Sequence, residues 1–368
     1  MMDVSSKSIS RRGAIGVTLA GAATALASPA VAQSQPNLKW RMVTSYPKSL
    51  DALDGGCRML AKIVGDLTDG KFDIQVFAAG EVVPALQVLD AVQTNTVEMG
   101  HSASYYYIGK NPVLAFDTCL PFGLNARQQN AWMTHGGGAA LMQDVFAPYG
   151  LRAFPAGNTS AQMAGWLRKE IKTVEDFQGL KFRTGGLAGK VLAKLGVVSQ
   201  QLGAADVYPA LERGTIDAAE WVGPYDDERL GLQKVAKYYY APGWAEGSAQ
   251  VSLYVGQKHW DALPASYKAA IEAACATVNG WMLAKYDNGN PAALKRLIAA
   301  GAQVRIYSRE VLNALYDATE KLYSELSAQN PQFKKVYESW SVYRQEELFW
   351  WRVNELSFDS FSAARFGR

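Results

Sequence analysis

The sequence predicts an α/β protein of two similar domains with a ligand cleft between them and an extended C-terminal helix. Three observations carry that expectation: alternating short β-rich and longer amphipathic runs, a ten-residue pattern that occurs twice, and two Pro/Gly-bearing segments at the edges of the second unit. Residues 40–44 read as a strand, 50–67 as a helix, 72–77 as a strand and 84–93 as a helix, with Gly55, Gly70 and Gly80 as punctuation. The pattern AVQTNTVEMG at residues 91–100 aligns with ALERGTIDAA at 210–219. Each reads as the end of a helix, a turn and a short strand. Open α/β sheets bind ligands beyond the carboxyl ends of their strands, so His101-Ser102 and Glu220-Trp221 are expected to face each other across the cleft.

Pro155-Ala156-Gly157-Asn158 and Pro242-Gly243 read as crossings between domains. Residues 249–255 have a strand pattern and 264–283 a helical one, so the chain is expected to return to the first domain and give a hinge of more than one strand. The expected organisation is an export signal over 1–32, domain I over 33–155 with a returning segment near 247–285, domain II over 156–246, and a helical C-terminal region over 286–368.

The export signal rests on Ser10-Arg11-Arg12, an Ala/Gly-rich run too short to span a bilayer, and an A-x-A site at Ala30-Val31-Ala32. The paired arginines suit export in the folded state, while Gly13-Ala14-Ile15 depart from the bulky residues usual there and leave the general secretory route open. The working chain is therefore expected outside the cytoplasm. Losing Lys7, Arg11 and Arg12 with Asp3 takes the formal charge from +3 to +1, which implies no nucleic-acid partner. Cys57, Cys119 and Cys275 are widely spaced and odd in number, so they allow at most one intrachain disulfide and form no zinc cluster. His101, His135 and His259 lack metal-ligand spacing or a hydrolase signature. Gly136-Gly137-Gly138 and Gly185-Gly186-Leu187-Ala188-Gly189 resemble phosphate loops but carry no complete phosphate or dinucleotide fingerprint.

Arg183 ends a short strand before a Gly-rich turn and a helix, a place where forked donors and helix dipole both favour a carboxylate. A solvent-exposed strand-end arginine is the bland alternative. Glu220 follows the apolar residues 216–219 and needs a partner if desolvated. Glu246, beside the second crossing, is placed as an oxygen ligand for a hard cation such as Na⁺ or Ca²⁺. Solvated or hydrogen-bonded glutamates are the plain reading of both.

Residues 77–84 (FAAGEVVP), 176–183 (DFQGLKFR) and 210–220 (ALERGTIDAAE) together resemble the solute receptors of tripartite ATP-independent periplasmic (TRAP) transporters. The resemblance runs over essentially the whole chain after the signal. It implies a two-domain periplasmic-binding-protein fold, no enzymatic activity, TRAP membrane subunits as partners, and Arg183 as the carboxylate-binding arginine. Glu220-Trp221-Val222-Gly223-Pro224 departs from the commoner Glu-Asn-Pro pattern. With Ser104-Tyr105-Tyr106-Tyr107 and residues 157–162 (GNTSAQ), it resembles the branch that binds 2-oxo monocarboxylates such as pyruvate with a cation. That branch implies cation ligands at Gln162, Glu220, the Trp221 carbonyl and Glu246, and ligand contacts at Asn158, Tyr105 and Tyr106. A lactate or hydroxy-acid receptor of the same fold, or a secreted α/β enzyme, are the competing readings.

The segment 336–366 carries Tyr337, Trp340, Tyr343, Leu348, Phe349, Trp350, Trp351, Val353, Leu356, Phe358 and Phe361. This aromatic band is wider than one supporting face needs, and a second copy of the chain is the simplest cover. The 2-oxoacid branch likewise implies a homodimer through an extended C-terminal helix.

Overall fold

The computed structural model describes residues 35–366, so the expected signal over residues 1–32 lies outside the described part. Among the described residues, eleven strands are numbered in chain order. They are β1 (Leu38–Thr44), β2 (Phe72–Phe77), β3 (Met99–Ser102), β4 (Leu151–Asn158), β5 (Gly165–Leu167), β6 (Lys181–Arg183), β7 (Val198–Gln200), β8 (Ala218–Ala219), β9 (Tyr238–Ala241), β10 (Gln250–Gly256) and β11 (Gln303–Ile306). They form two sheets, ordered β2-β1-β3-β10-β4 and β11-β9-β5-β8-β6-β7, each the centre of one lobe. In the first, β1 is parallel to β2 and β3 while β10 is antiparallel to β3 and β4. In the second, β6 is parallel to β7 and β8. Parallel neighbours require crossovers, here supplied by the helices Leu53–Leu67, Val88–Gln93, Ala188–Lys194 and Ala204–Glu212.

The repeated ten-residue pattern is structural. Val88–Gln93 leads into β3 beside β1, as Ala204–Glu212 leads into β8 beside β6. The turns match bond for bond: Thr96 and Val97 N–H donate to the Ala91 carbonyl, and Thr215 and Ile216 N–H donate to the Ala210 carbonyl. The aligned Asn95 and Gly214 both take left-handed backbone, at φ 54° and 72°, a region open to Asn and Gly at small cost.

Three connections join the lobes. Residues 159–164 lead from β4 to β5, and 242–249 lead from β9 to β10. The third is the helix Ala265–Ala299, which packs on Leu53–Leu67 and β4 in the first lobe and on Pro224–Leu230 in the second before ending near β11. The sequence pattern gives this helix only to residue 283, and Gly289 and Pro291 beyond it are poor helix formers. Buried Tyr286, Ala293 and Leu297 extend the three-and-four spacing of Tyr267, Ile271, Ala274, Val278 and Met282, and this packed stripe holds the helix together. Residues 286–368 are therefore not wholly helical, since β11 lies in them and pairs with β9.

The C-terminal helices Pro331–Val353 and Glu355–Phe366 meet at Asn354, whose N–H donates to the Trp350 carbonyl and whose carbonyl accepts from Phe358 N–H. Phe333, Val336 and Trp340 are buried, Trp340 against Phe116 and Tyr323. Beyond Trp340 no described residue is buried, although Tyr343 packs on the core and Glu355 pairs with Arg127. Phe349, Trp350, Val353, Phe358 and Phe361 are all more than half exposed, and no residue of Glu355–Phe366 is buried. No helix among the described residues is long and apolar enough to cross a membrane.

Candidate functional site between the lobes

A tight cavity of about 10 Å³ lies between the two sheets, lined by Tyr46, Tyr105, Tyr106 and Val251 from the first lobe, Trp221 from the second and Gln162 from a crossing. Strand ends supply these groups, as the topology dictates. The turn Ser104–Tyr107 follows β3, Glu220-Trp221 follows β8, Arg183 ends β6, and Gln162 and Glu246 lie in two of the crossings.

Arg183 is fully buried, which removes the exposed strand-end reading. Its Nε donates to the Leu202 carbonyl at 3.1 Å and its Nη1 to the Glu220 carbonyl. Nη1 also lies 3.5 Å from Glu220 Oε2, and the guanidinium carbon sits 4.6 Å from the centre of the Trp221 ring. Nη2 is buried with no hydrogen-bond partner. Burial opposes the charge, yet Tyr106, Glu220, Tyr105 and Glu246 raise the pKa of Arg183, so it remains a cation with one donor free.

Glu220 and Glu246 are each 2% exposed. Burial, with Glu246 adding repulsion, pushes the Glu220 carboxyl well above its ordinary range. Burial pushes Glu246 up to about 7, against the pull of Arg183 and hydrogen bonds from Tyr105, Gln162 and Cys119. Thr184 Oγ1 donates to Glu220 Oε2 at 3.4 Å. Glu220 Oε1, Glu246 Oε2 and Gln162 Oε1 are buried without hydrogen-bond partners, while Gln162 Nε2 is held by Thr159 Oγ1 at 2.8 Å. Unpaired buried oxygens are costly. Three of them, two on carboxylates, form a donor set suited to a hard cation. Among the described residues there is no group of three or more His, Cys, Asp or Glu side chains poised for a metal, so this set depends on an amide oxygen beside its two acids.

Other placements differ from the sequence expectation. His101 and Ser102 do not face the cleft: they are inside β3, with His101 Nε2 on the Ala156 carbonyl and Ser102 Oγ on Ser45 Oγ. The strand ends two residues later than its pattern suggests, so Ala103, Tyr105 and Tyr106 line the cavity with Trp221 instead. Asn158 ends β4, where its Oδ1 accepts from Ser160 N–H, leaving only Nδ2 unpartnered. Cys119, Thr184 and Tyr46 join the site without a sequence signal, since a lone thiol, a turn hydroxyl and a core-like tyrosine have no diagnostic spacing. All three cysteines are free, and burial raises the Cys119 thiol well above its ordinary range.

Polar ties also cross between lobes. Asp51 Oδ1 lies 3.0 Å from Arg229 Nε, and Asp51 Oδ2 accepts from Lys285 Nζ at 2.9 Å and Tyr225 OH at 3.1 Å. Gln201 Nε2 donates to the Tyr106 carbonyl at 2.9 Å.

Two α/β lobes joined by several crossings, with a buried charged cluster beside the cavity between them, define a solute-binding protein. The chain belongs to the family described as bacterial extracellular solute-binding protein, family 7, whose model matches residues 44–330. A monocarboxylate 2-oxoacid-binding periplasmic protein of Nostoc sp. is 48% identical over 352 residues, covering 94% of this chain and 96% of the relative. A TRAP transporter solute-binding protein from Bordetella bronchiseptica superposes with TM-score 0.90 and 52% identity over 91% of this chain and 99% of its own. That structure is a mixed-occupancy dimer, with copurified calcium and picolinate in one active site and the other site apo. A TRAP periplasmic solute-binding protein from Pseudoalteromonas atlantica, holding sodium and pyruvate, superposes with TM-score 0.86 and 37% identity over 88% of this chain and 99% of its own.

Proposed function

We propose that this protein is a periplasmic receptor that closes over a small 2-oxo monocarboxylate of the pyruvate kind together with Na⁺ or Ca²⁺ and delivers it to TRAP membrane subunits. The observation that carries the reading is the clustering of one unpartnered cationic donor, Arg183 Nη2, with three unpartnered acceptors, Gln162 Oε1, Glu220 Oε1 and Glu246 Oε2, beside the cavity that Gln162 and Trp221 line. Arg183 takes the carboxylate; the glutamates, Gln162 Oε1 and the Trp221 carbonyl hold the cation; Tyr105 and Tyr106 shape the pocket. Asn158 Nδ2 is a further donor toward the acid. A cation supplies positive charge that balances the two glutamates and polarises the 2-oxo oxygen. The Nostoc, Bordetella and Pseudoalteromonas relatives support the same ligand chemistry.

The reading is tested by incubating ligand-stripped protein with pyruvate, longer 2-oxo acids and lactate, following thermal stability and the acids' NMR spectra together. Saturable stabilisation by 2-oxo acids with unchanged spectra is the expected result. Stabilisation by lactate alone would make the protein a hydroxy-acid receptor, and conversion of an acid would make it an enzyme.

The exposed C-terminal aromatics support a homodimer within the same reading. Apolar surface of this extent asks for a cover, and the Bordetella relative is a dimer. Light scattering should give a dimer mass for the intact chain and a monomer for Phe349→Glu/Phe358→Glu, with thermal unfolding of each subunit little changed because both side chains are exposed. A monomer from the unaltered chain at micromolar concentration would contradict the dimer.

A further inference from the structure

Tyr105 crosses from one lobe into the other, and the backbone it meets has no room for a side chain. It belongs to the turn Ser104–Tyr107 after β3, while Gly185 and Gly186 follow β6 in the second lobe. A Cβ placed on Gly185 would come 2.0 Å from Tyr105 Cε2, 2.7 Å from Cζ and 2.9 Å from Cδ2. These are ring atoms and not the far end of a flexible chain. The ring cannot step aside: Tyr105 is 4% exposed and lies edge-on to Tyr106, 4.8 Å between centres. A Cβ on Gly186 would meet Tyr105 Cβ and Cγ, both at 3.1 Å.

We propose that Gly185 and Gly186 form the seat that admits Tyr105 into the second lobe, so that these glycines govern whether the cleft can close on its ligand. The proposal deepens the receptor reading and rests on it. Seating brings the Tyr105 hydroxyl near enough to Glu246 to favour its charged form, and brings the turn bearing Tyr106 near Arg183. Closure and completion of the site are thus one event. The two glycines differ in what else they do. Gly186 also needs its left-handed backbone at φ 58°, whereas Gly185 has no positive φ. An alanine at 185 therefore needs no left-handed backbone, and the three atoms nearest its Cβ all belong to the seated ring.

Gly185→Ala is expected to weaken binding of pyruvate, titrated with CaCl₂ present, on the order of tenfold or more, since a methyl forced into packed space is costly. The ligand-free variant should unfold at the temperature of the unaltered protein. In a Tyr105→Ala background the same substitution should cost nothing further, because the ring it strikes is gone. A second readout needs no ligand. The Cβ position of Gly203 lies 3.0 Å from Ala85 Cβ across the cleft, so Ala85→Cys/Gly203→Cys should form a disulfide under mild oxidation as the closing lobes bring the two Cβ atoms to about 3.5–4.5 Å, just short of full contact. Adding Gly185→Ala should slow that cross-link on the order of tenfold, in line with the loss of affinity. Equal pyruvate affinity, an equal penalty in both Tyr105 backgrounds, or an unchanged cross-linking rate would each overturn the seat. Failure of the unaltered protein to bind pyruvate would instead refute the receptor reading, and the cross-linking rates would still decide the seat.

Discussion

Arg183→Ala should weaken binding of a small 2-oxo acid by about 2–5 kcal/mol, because it leaves a desolvated anion without its counter-charge. The geometry makes the loss more than one ion pair. Arg183 also donates to the Leu202 and Glu220 carbonyls and stacks on Trp221. Its removal frees two buried carbonyls and leaves Glu220 facing Glu246 uncompensated, so the unliganded protein should lose thermal stability as well. Arg183→Lys should recover little, since one ammonium cannot serve Leu202, Glu220 and a ligand in the directions of a planar fork. Calorimetry on folded variants checks the prediction. Pyruvate affinity unchanged in Arg183→Ala would remove this residue from the site.

The second large effect concerns the paired glutamates. Glu246 titrates near 7 in the folded chain against an ordinary value of 4.5, and Glu220 is raised too. Between those pH values the folded chain keeps a proton that the unfolded chain has released. The stability of the cation-free protein therefore falls as pH rises through this window, and Glu220, raised well above its ordinary range, adds to the fall. A cation competes with that proton. Calcium should thus raise the unfolding temperature most at pH 8 and least near pH 5, with about 2.7 kcal/mol of stabilisation at a hundredfold excess over its dissociation constant. Glu246→Gln should flatten the pH dependence and weaken calcium. A calcium effect independent of pH, or retained in full by Glu220→Gln/Glu246→Gln, would return both carboxylates to structural roles.

Local signals made much of this architecture legible. The echo between residues 91–100 and 210–219 is readable because both turns demand the same left-handed residue and the same pair of hydrogen bonds. Arg183 stands out by its strand-end position, and Glu220 by an apolar run that desolvates it. What stayed hidden depends on long-range packing. The helix Ala265–Ala299 passes Gly289 and Pro291 because two lobes support it. β11 is specified by pairing with β9, which no local pattern announces. His101 and Ser102 were expected in the cleft because β3 was placed two residues short. Half of the Asn158 amide is taken by a turn, a hydrogen bond visible only once the crossing is folded. Cys119 reaches Glu246 from a distant segment, and the Gly185 contact requires knowing where Tyr105 lands.

The claim that the acid and the cation share one buried site is tested most directly by calorimetry of cation-stripped protein titrated with pyruvate, with and without calcium or sodium. One saturable site per chain, strongly weakened when both cations are absent, is the predicted result. Pyruvate binding of equal strength in cation-free buffer would contradict it.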